Sequence, residues 1–275
     1  MANPAAHWGT FSERSAHPKR SMMNPAEFDN IVRTEETFWW FQGMQRILFG
    51  LLEQEWGSNV PQRVLEAGCG TGHFAMQFAE HFGSRVDVAD LAIEGLRHAR
   101  QRGAGAMAQS DVRALPFASA AYGCVISLDV LVHLERGQEE VAFSELSRVL
   151  EPGGLLVLRV SALDILRSRH SAFTHERQRF TRGRLLDLAR RNGLDVVRCT
   201  YLNSLLMPVA LAKFRLWEPF QTGEPGSGLQ PVPAWLNTIL GSALRIEAEW
   251  LLHGGSFPAG QSLLLLARKR AVATS

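Results

Sequence analysis

Between residues 63 and 161 the chain alternates in a way that few folds permit. Short apolar runs read as buried strands: "RVLEAG" (63–68), "RVDVAD" (85–90), "GAMAQSD" (105–111), "YGCVISLD" (122–129) and "LLVLRVS" (155–161). Among them lie segments whose apolar residues recur at helical spacing. "GHFAMQFAEHFG" (72–83) and "AIEGLRHARQRG" (92–103) close on a glycine, and "QEEVAFSELSRVLEPGG" (138–154) on Pro-Gly-Gly. Strand and helix in turn at this spacing predict a parallel sheet covered by helices on both faces. Apolar residues make up 46% of the 275 positions, enough for the one large core such a sheet requires.

The flanks extend this pattern. "TRGRLLDLARRNG" (181–193) predicts a helix capped by Thr181, "LDVVRCTYL" (194–202) a sixth strand and "SLLLLARK" (262–269) a last one. Residues 27–56 read as helical, with Phe38, Trp39, Phe41, Ile47, Leu48, Leu51 and Leu52 at three- and four-residue steps. Residues 1–25 carry no periodicity and are expected to form a flexible tail. The expectation is a single α/β domain over 26–275. Its additions are a helical lid (27–56), an insertion after the fifth strand (162–180) and an insertion of helix and loop before the last strand (203–260), which includes the Gly/Pro-rich stretch 221–233.

Charge is nearly balanced, 29 basic against 27 acidic residues, which argues against a dedicated nucleic-acid binder. Cys69, Cys124 and Cys199 are far apart and form neither a disulfide framework nor a CxxC pattern. His170 and His175 stand five apart without HExxH spacing, so no metal site is expected. The longest apolar stretches, "LLMPVALA" (205–212) and "LLLLA" (263–267), are too short to span a bilayer, and no signal-peptide core opens the chain. These features predict a cytoplasmic protein.

The stretch "LEAGCGTGHF" (65–74) places Gly68, Gly70 and Gly72 at the end of the first strand. Glycines there let a ligand approach the backbone. Asp90 ends the second strand, 22 residues after Gly68, where an acid accepts hydrogen bonds from a ribose diol. A nucleoside across the first two strands is expected. A dinucleotide fits less well. In the G-x-G-x-x-G pattern the third glycine falls on His73 in one frame and Ala75 in the other, and Glu66 would repel a pyrophosphate while welcoming an ammonium group.

The motifs "VLEAGCGTGHF" (64–74), "VDVADLA" (86–92), "SDVRALPF" (110–117), "YGCVISLDVLVHL" (122–134) and "RVLEPGGLLVLRV" (148–160) together resemble the class I S-adenosylmethionine-dependent methyltransferases. "EETFWWFQGMQRIL" (35–48) and the stretch from 175 onward extend the likeness over roughly 27–270, toward a bacterial small-molecule biosynthetic subset. The resemblance implies a Rossmann-like seven-stranded sheet whose last strand is antiparallel. It also implies methyl transfer from S-adenosylmethionine, leaving S-adenosylhomocysteine, to an oxygen or nitrogen of a small molecule such as a natural-product intermediate. Glu66 and the backbone at Gly68, Gly70 and Gly72 would face the methionine part. Asp90 would hold the ribose, and Leu91 would lie against adenine. Asp111 would accept from the adenine amino group, and the Val112 amide would meet the ring edge. Leu128 and Asp129 would stand beside the sulfonium.

An acceptor that must lose a proton needs a base. His133 is the first candidate and His175 the second; each is equally readable as structural. Trp39 and Trp40 read as a lid over the site or as plain packing. Arg177, with Arg167, Arg169 and Arg179, reads as a clamp for an anionic substrate or as a solvated loop. The apolar segment 203–260 reads as a pocket cover for a hydrophobic or aromatic acceptor, as a dimer surface, or as a peripheral membrane contact. Monomer and homodimer both stay open. So do two other uses of the same cofactor site, a non-methylating cyclisation or rearrangement and a non-catalytic cofactor-binding module.

Overall fold

A computed structural model describes residues 24, 26–222 and 224–271. The tail expected at 1–25 lies outside them, Asn24 apart. Seven strands form one sheet: β1 (Arg63–Ala67), β2 (Arg85–Asp90), β3 (Met107–Gln109), β4 (Tyr122–Leu128), β5 (Leu150–Ser161), β6 (Leu194–Leu202) and β7 (Ser262–Lys269). Their order is β3-β2-β1-β4-β5-β7-β6, with β1 to β5 parallel and β7 antiparallel to both β5 and β6. This is the Rossmann-like α/β sheet the motifs imply. The chain enters at β1, runs outward to β3 and then returns to β4 on the other side of β1. That reversal opens a crevice at the carboxyl ends of β1 and β4, the position at which open α/β sheets bind ligands.

Alternate residues of each strand feed opposite faces. Leu65 and Ala67 join a core with α5 (Glu139–Val149) and α7 (Arg182–Arg191), through Phe143, Leu146, Leu185 and Leu188. Val64 joins the opposite core with α2 (Trp39–Trp56), α3 (His73–Phe82), α4 (Ile93–Gln101) and α9 (Ala234–Leu252). Thr181 caps α7 as expected, its hydroxyl accepting from the Arg184 amide.

Two elements differ from expectation. The helical stretch 27–56 is two helices, α1 (Ala26–Thr34) and α2, because the chain turns at Thr34–Phe38 to bring Glu35 onto the glycine loop. Strand β5 begins at Leu150 and runs through Pro-Gly-Gly, with a register shift against β4 between Tyr122 and Cys124. The cover at 203–260 has the expected helix on either side of the Gly/Pro-rich loop. A short α8 (Met207–Ala212) continues through single turns to Phe220, and after a stretch whose described residues form no helix or strand, α9 packs along α2. That contact is close. A Cβ on Gly43 would stand 2.3 Å from Leu244 Cδ1, and one on Gly50 2.9 Å from Leu252 Cδ2. The insertion after β5 makes a turn at Asp164–Leu166 and a short helix α6 (Arg169–Phe173), and returns through Phe180 to bridge Ala162. No described helix is long and apolar enough to cross a membrane.

Candidate active site

The three loop glycines have different tasks. All have positive φ, of 88°, 52° and 73° for Gly68, Gly70 and Gly72. A Cβ on Gly68 would sit 2.0 Å from Val130 Cγ2, and one on Gly72 2.5 Å from Ala99 Cβ, so these two serve close packing. At Gly70 no atom lies within 4 Å of that position, and its backbone borders an open cavity. The cavity, of about 2560 Å³, runs over the glycine loop and beneath α1, α2, the 161–179 insertion and the 213–233 cover.

Asp90 organises the floor. Its two carboxylate oxygens accept from the amides of Gly70 and Ala92, each at 2.8 Å. Burial pushes its pKa up to about 6, against the pull of these amides. Glu66 lies deeper, 3% exposed, and its Oε2 has no partner. Burial first, and Asp90 second, hold the Glu66 carboxyl well above its usual range. An unpaired buried carboxylate oxygen is costly, and a cation placed against it would relieve that cost.

Leu91, Val112 and Leu128 all line the cavity. Asp111 lines it too, but Arg113 takes both its oxygens, at 2.9 and 2.5 Å. Burial pushes the Asp111 carboxyl up; Arg113 outweighs it and holds the group below the usual range. Asp129 takes the left-handed conformation, φ 59°, and its Oδ2 receives two bonds from Arg159, at 3.0 and 2.7 Å. The Arg159 guanidinium lies 4.7 Å from the centre of a Trp40 ring, so Trp40, Arg159 and Asp129 form one stack on the wall. Trp39 lines the cavity beside it.

His133 stands on a single turn, Leu131–His133, against the cavity, with Nδ1 buried and unpartnered. Burial lowers its pKa, opposed by a hydrogen bond with the His175 backbone and by the charges of Asp129 and Glu176. The imidazole is therefore neutral near pH 7. His175 sits at a left-handed turn, φ 59°, exposed and not among the residues that line the cavity.

The arginines of the insertion have partners of their own, and Arg169, Arg177 and Arg179 also line the cavity. Arg177 reaches Glu135 at 2.8 Å, and Arg167 binds Asp164 and the carbonyl of Arg177. Arg169 binds the carbonyls of Gln221 and Glu224, while Arg179 forms a buried pair with Glu176. These side chains stitch the insertion to itself, to the Glu135 loop and to the cover.

Several site residues escape a sequence reading. Glu35 accepts from Thr71 Oγ1 at 2.5 Å and from Arg102, whose other nitrogen donates to the Thr71 carbonyl at 2.9 Å. This ties the lid to the glycine loop. Glu27 is 1% exposed and accepts from Ser227 at 2.9 Å, which ties the lid to the cover. His170 accepts from the Gly228 amide at 2.9 Å, so its Nδ1 carries no proton and the nearby Glu27 is no ion-pair partner. Only Arg159 left a signal, as the lone charge in the apolar run 155–161. Among the described residues no His/Cys/Asp/Glu cluster is arranged to hold a metal.

Residues 64–154 match a family model described as a methyltransferase domain. The chain is 37% identical over 105 residues to the malonyl-[acyl-carrier protein] O-methyltransferase of Enterobacter lignolyticus, covering 38% of this chain and 41% of that protein. It spans about half the length of the curated relatives it matches. Among solved structures, the fold is similar to the [4+2]-cyclase SpnF, with TM-score 0.55, 20% identity, and coverage of 85% of this chain and 83% of that one. It is also similar to the geranyl diphosphate C-methyltransferase of Streptomyces coelicolor, with TM-score 0.54, 18% identity, and coverage of 81% and 78%. Residues 64–154 thus carry a methyltransferase domain, on a sheet of the Rossmann-like class I methyltransferase type.

Proposed function

We propose that this protein transfers a methyl group from S-adenosylmethionine to an oxygen or nitrogen of a small hydrophobic or aromatic molecule, such as a natural-product intermediate, in the cytoplasm. The observation that carries the reading is the buried Glu66 carboxyl, its Oε2 unpartnered, beside a glycine loop that opens to the cavity at Gly70. The residues present fit the cofactor. Glu66 would meet its ammonium group, and Asp90, already oriented by two backbone amides, would accept from its ribose hydroxyls. Asp111 would reach adenine only by sharing its oxygens with Arg113.

When bound, S-adenosylmethionine supplies an electrophilic methyl on a sulfonium sulfur. The walls position the acceptor for in-line attack and keep water out, the lid through Trp39 and Trp40 and the cover through its apolar residues. His133, neutral near pH 7, would take the proton that a hydroxyl or amine acceptor gives up. The O-methyltransferase relatives support oxygen as the receiving atom. The likeness to a cyclase keeps a second reading alive, because the fold does not fix the reaction.

Calorimetric titration with S-adenosylmethionine and, separately, NAD tests the cofactor. Only the former should bind, and Asp90→Ala should weaken it on the order of 10- to 100-fold, the loss of hydrogen bonds to a charged group. A well-folded protein that ignores S-adenosylmethionine overturns the reading. Acceptor screening should then show a mass gain of about 14 Da, whereas a product of unchanged mass points to rearrangement.

A further inference from the structure

Helix α9 is apolar on two opposite sides. Its inner side packs on α2 through Leu244, Ala248 and Leu251, while Glu247 accepts from the amides of Asn203, Ser204 and Leu205 at the end of β6. The outer side presents Trp235, Ile239, Ile246 and Trp250 to solvent, at 65%, 57%, 64% and 54% exposure. At 100° per residue these four fall within about 60° of arc, in a stripe about 22 Å long.

The spacing is the informative part. The steps are four, seven and four residues, so the stripe reads the same in both directions, with tryptophan at each end and isoleucine at each inner position. Its midpoint falls between two small residues, Ser242 and Ala243. A two-fold interface requires that residue i meet j and j meet i. An antiparallel pair of such helices meets that condition. Trp235 of each copy lies beside Trp250 of the other, Ile239 beside Ile246, and the small midpoint lets the backbones approach. The four side chains alone offer about 500 Å² per copy, hence about 1,000 Å² for the pair, the lower bound of a specific interface. The charged flank carries Arg245 and Glu249, one of each sign, where a bilayer surface favours a basic flank.

We infer that α9 pairs with α9 of a second copy of the chain, antiparallel, about a two-fold axis at Ser242–Ala243. The pair would form a layer of four helices with α2 outermost on each side.

Sedimentation equilibrium of the whole chain at micromolar concentration should give twice the 30.5 kDa chain mass. Ile239→Glu combined with Ile246→Glu should return it to one, with an unchanged circular dichroism spectrum. Orientation is read by cross-linking, which the buried native cysteines leave undisturbed. Ile239→Cys mixed with Ile246→Cys should form disulfides several-fold faster than either variant alone. A single-chain mass at every concentration overturns the proposal, and so does self-cross-linking of Ile239→Cys as fast as the mixture. Binding of a single-chain species to phosphatidylcholine–phosphatidylglycerol vesicles, lost in the double glutamate variant, reassigns the face to lipid and likewise overturns it.

Discussion

The acidic residues under the glycine loop are held against their preference for water, and this has a pH signature. In the unfolded chain Asp90 titrates near its ordinary 3.8; in the fold burial raises it to about 6. Between those values the folded protein keeps a proton the unfolded chain has lost. Its contribution to stability therefore falls as pH rises through that window, by on the order of 2–3 kcal/mol. Ligand-free Asp90→Asn should accordingly gain in melting temperature relative to the unsubstituted protein between pH 4 and pH 7. A difference that stays constant with pH counts against the buried carboxylate. At this scale the sequence was legible where a motif fixes a position, as at Glu66 and Asp90. It was silent where the partner comes from afar: Arg159 reaches Asp129 from thirty residues away, and Glu35 reaches Thr71 from thirty-six. The exposure of His175 was not legible, because spacing alone does not say which way an insertion turns its side chains.

At the scale of elements, the helices and strands of the cofactor half were legible because glycines stop them where the backbone goes left-handed, as at Gly83 with φ 70°. The break between α1 and α2 was not, since the helical period runs on through Thr34–Phe38 with neither glycine nor proline. A tertiary bond at Glu35 overrides local propensity there. The α2–α9 contact yields a sharper expectation. Gly43→Ala places a methyl 2.3 Å from Leu244 Cδ1. It should cost about 1–3 kcal/mol of stability despite alanine's better helix propensity. Adding Leu244→Ala should recover part of that loss by the coupling such a cycle measures, checked by denaturant melts. Strictly additive losses would mean that the two helices do not meet through this pair.

For the whole molecule, the cover walls one side of the cavity. Residues 224–233 are joined to α1 through Ser227 and to the insertion through His170 and Arg169, without a sheet ladder of their own. Amide exchange in this stretch should slow several-fold when S-adenosylmethionine and an acceptor analogue are both bound; unchanged rates count against its closing over the acceptor. The order of the strands carries a different consequence. Strand β6 touches the rest of the sheet only through β7, and the β5–β7 ladder joins Leu155 to Arg268 across more than a hundred positions. Closing a loop that long is entropically slow, while β1 to β5 assemble from neighbouring segments. The glycine-loop floor of the cavity should thus form early, with the β5 edge still unpaired. By this argument the wedging of β7 between its two neighbours should come last, and until then that edge is where two unfinished chains would join wrongly.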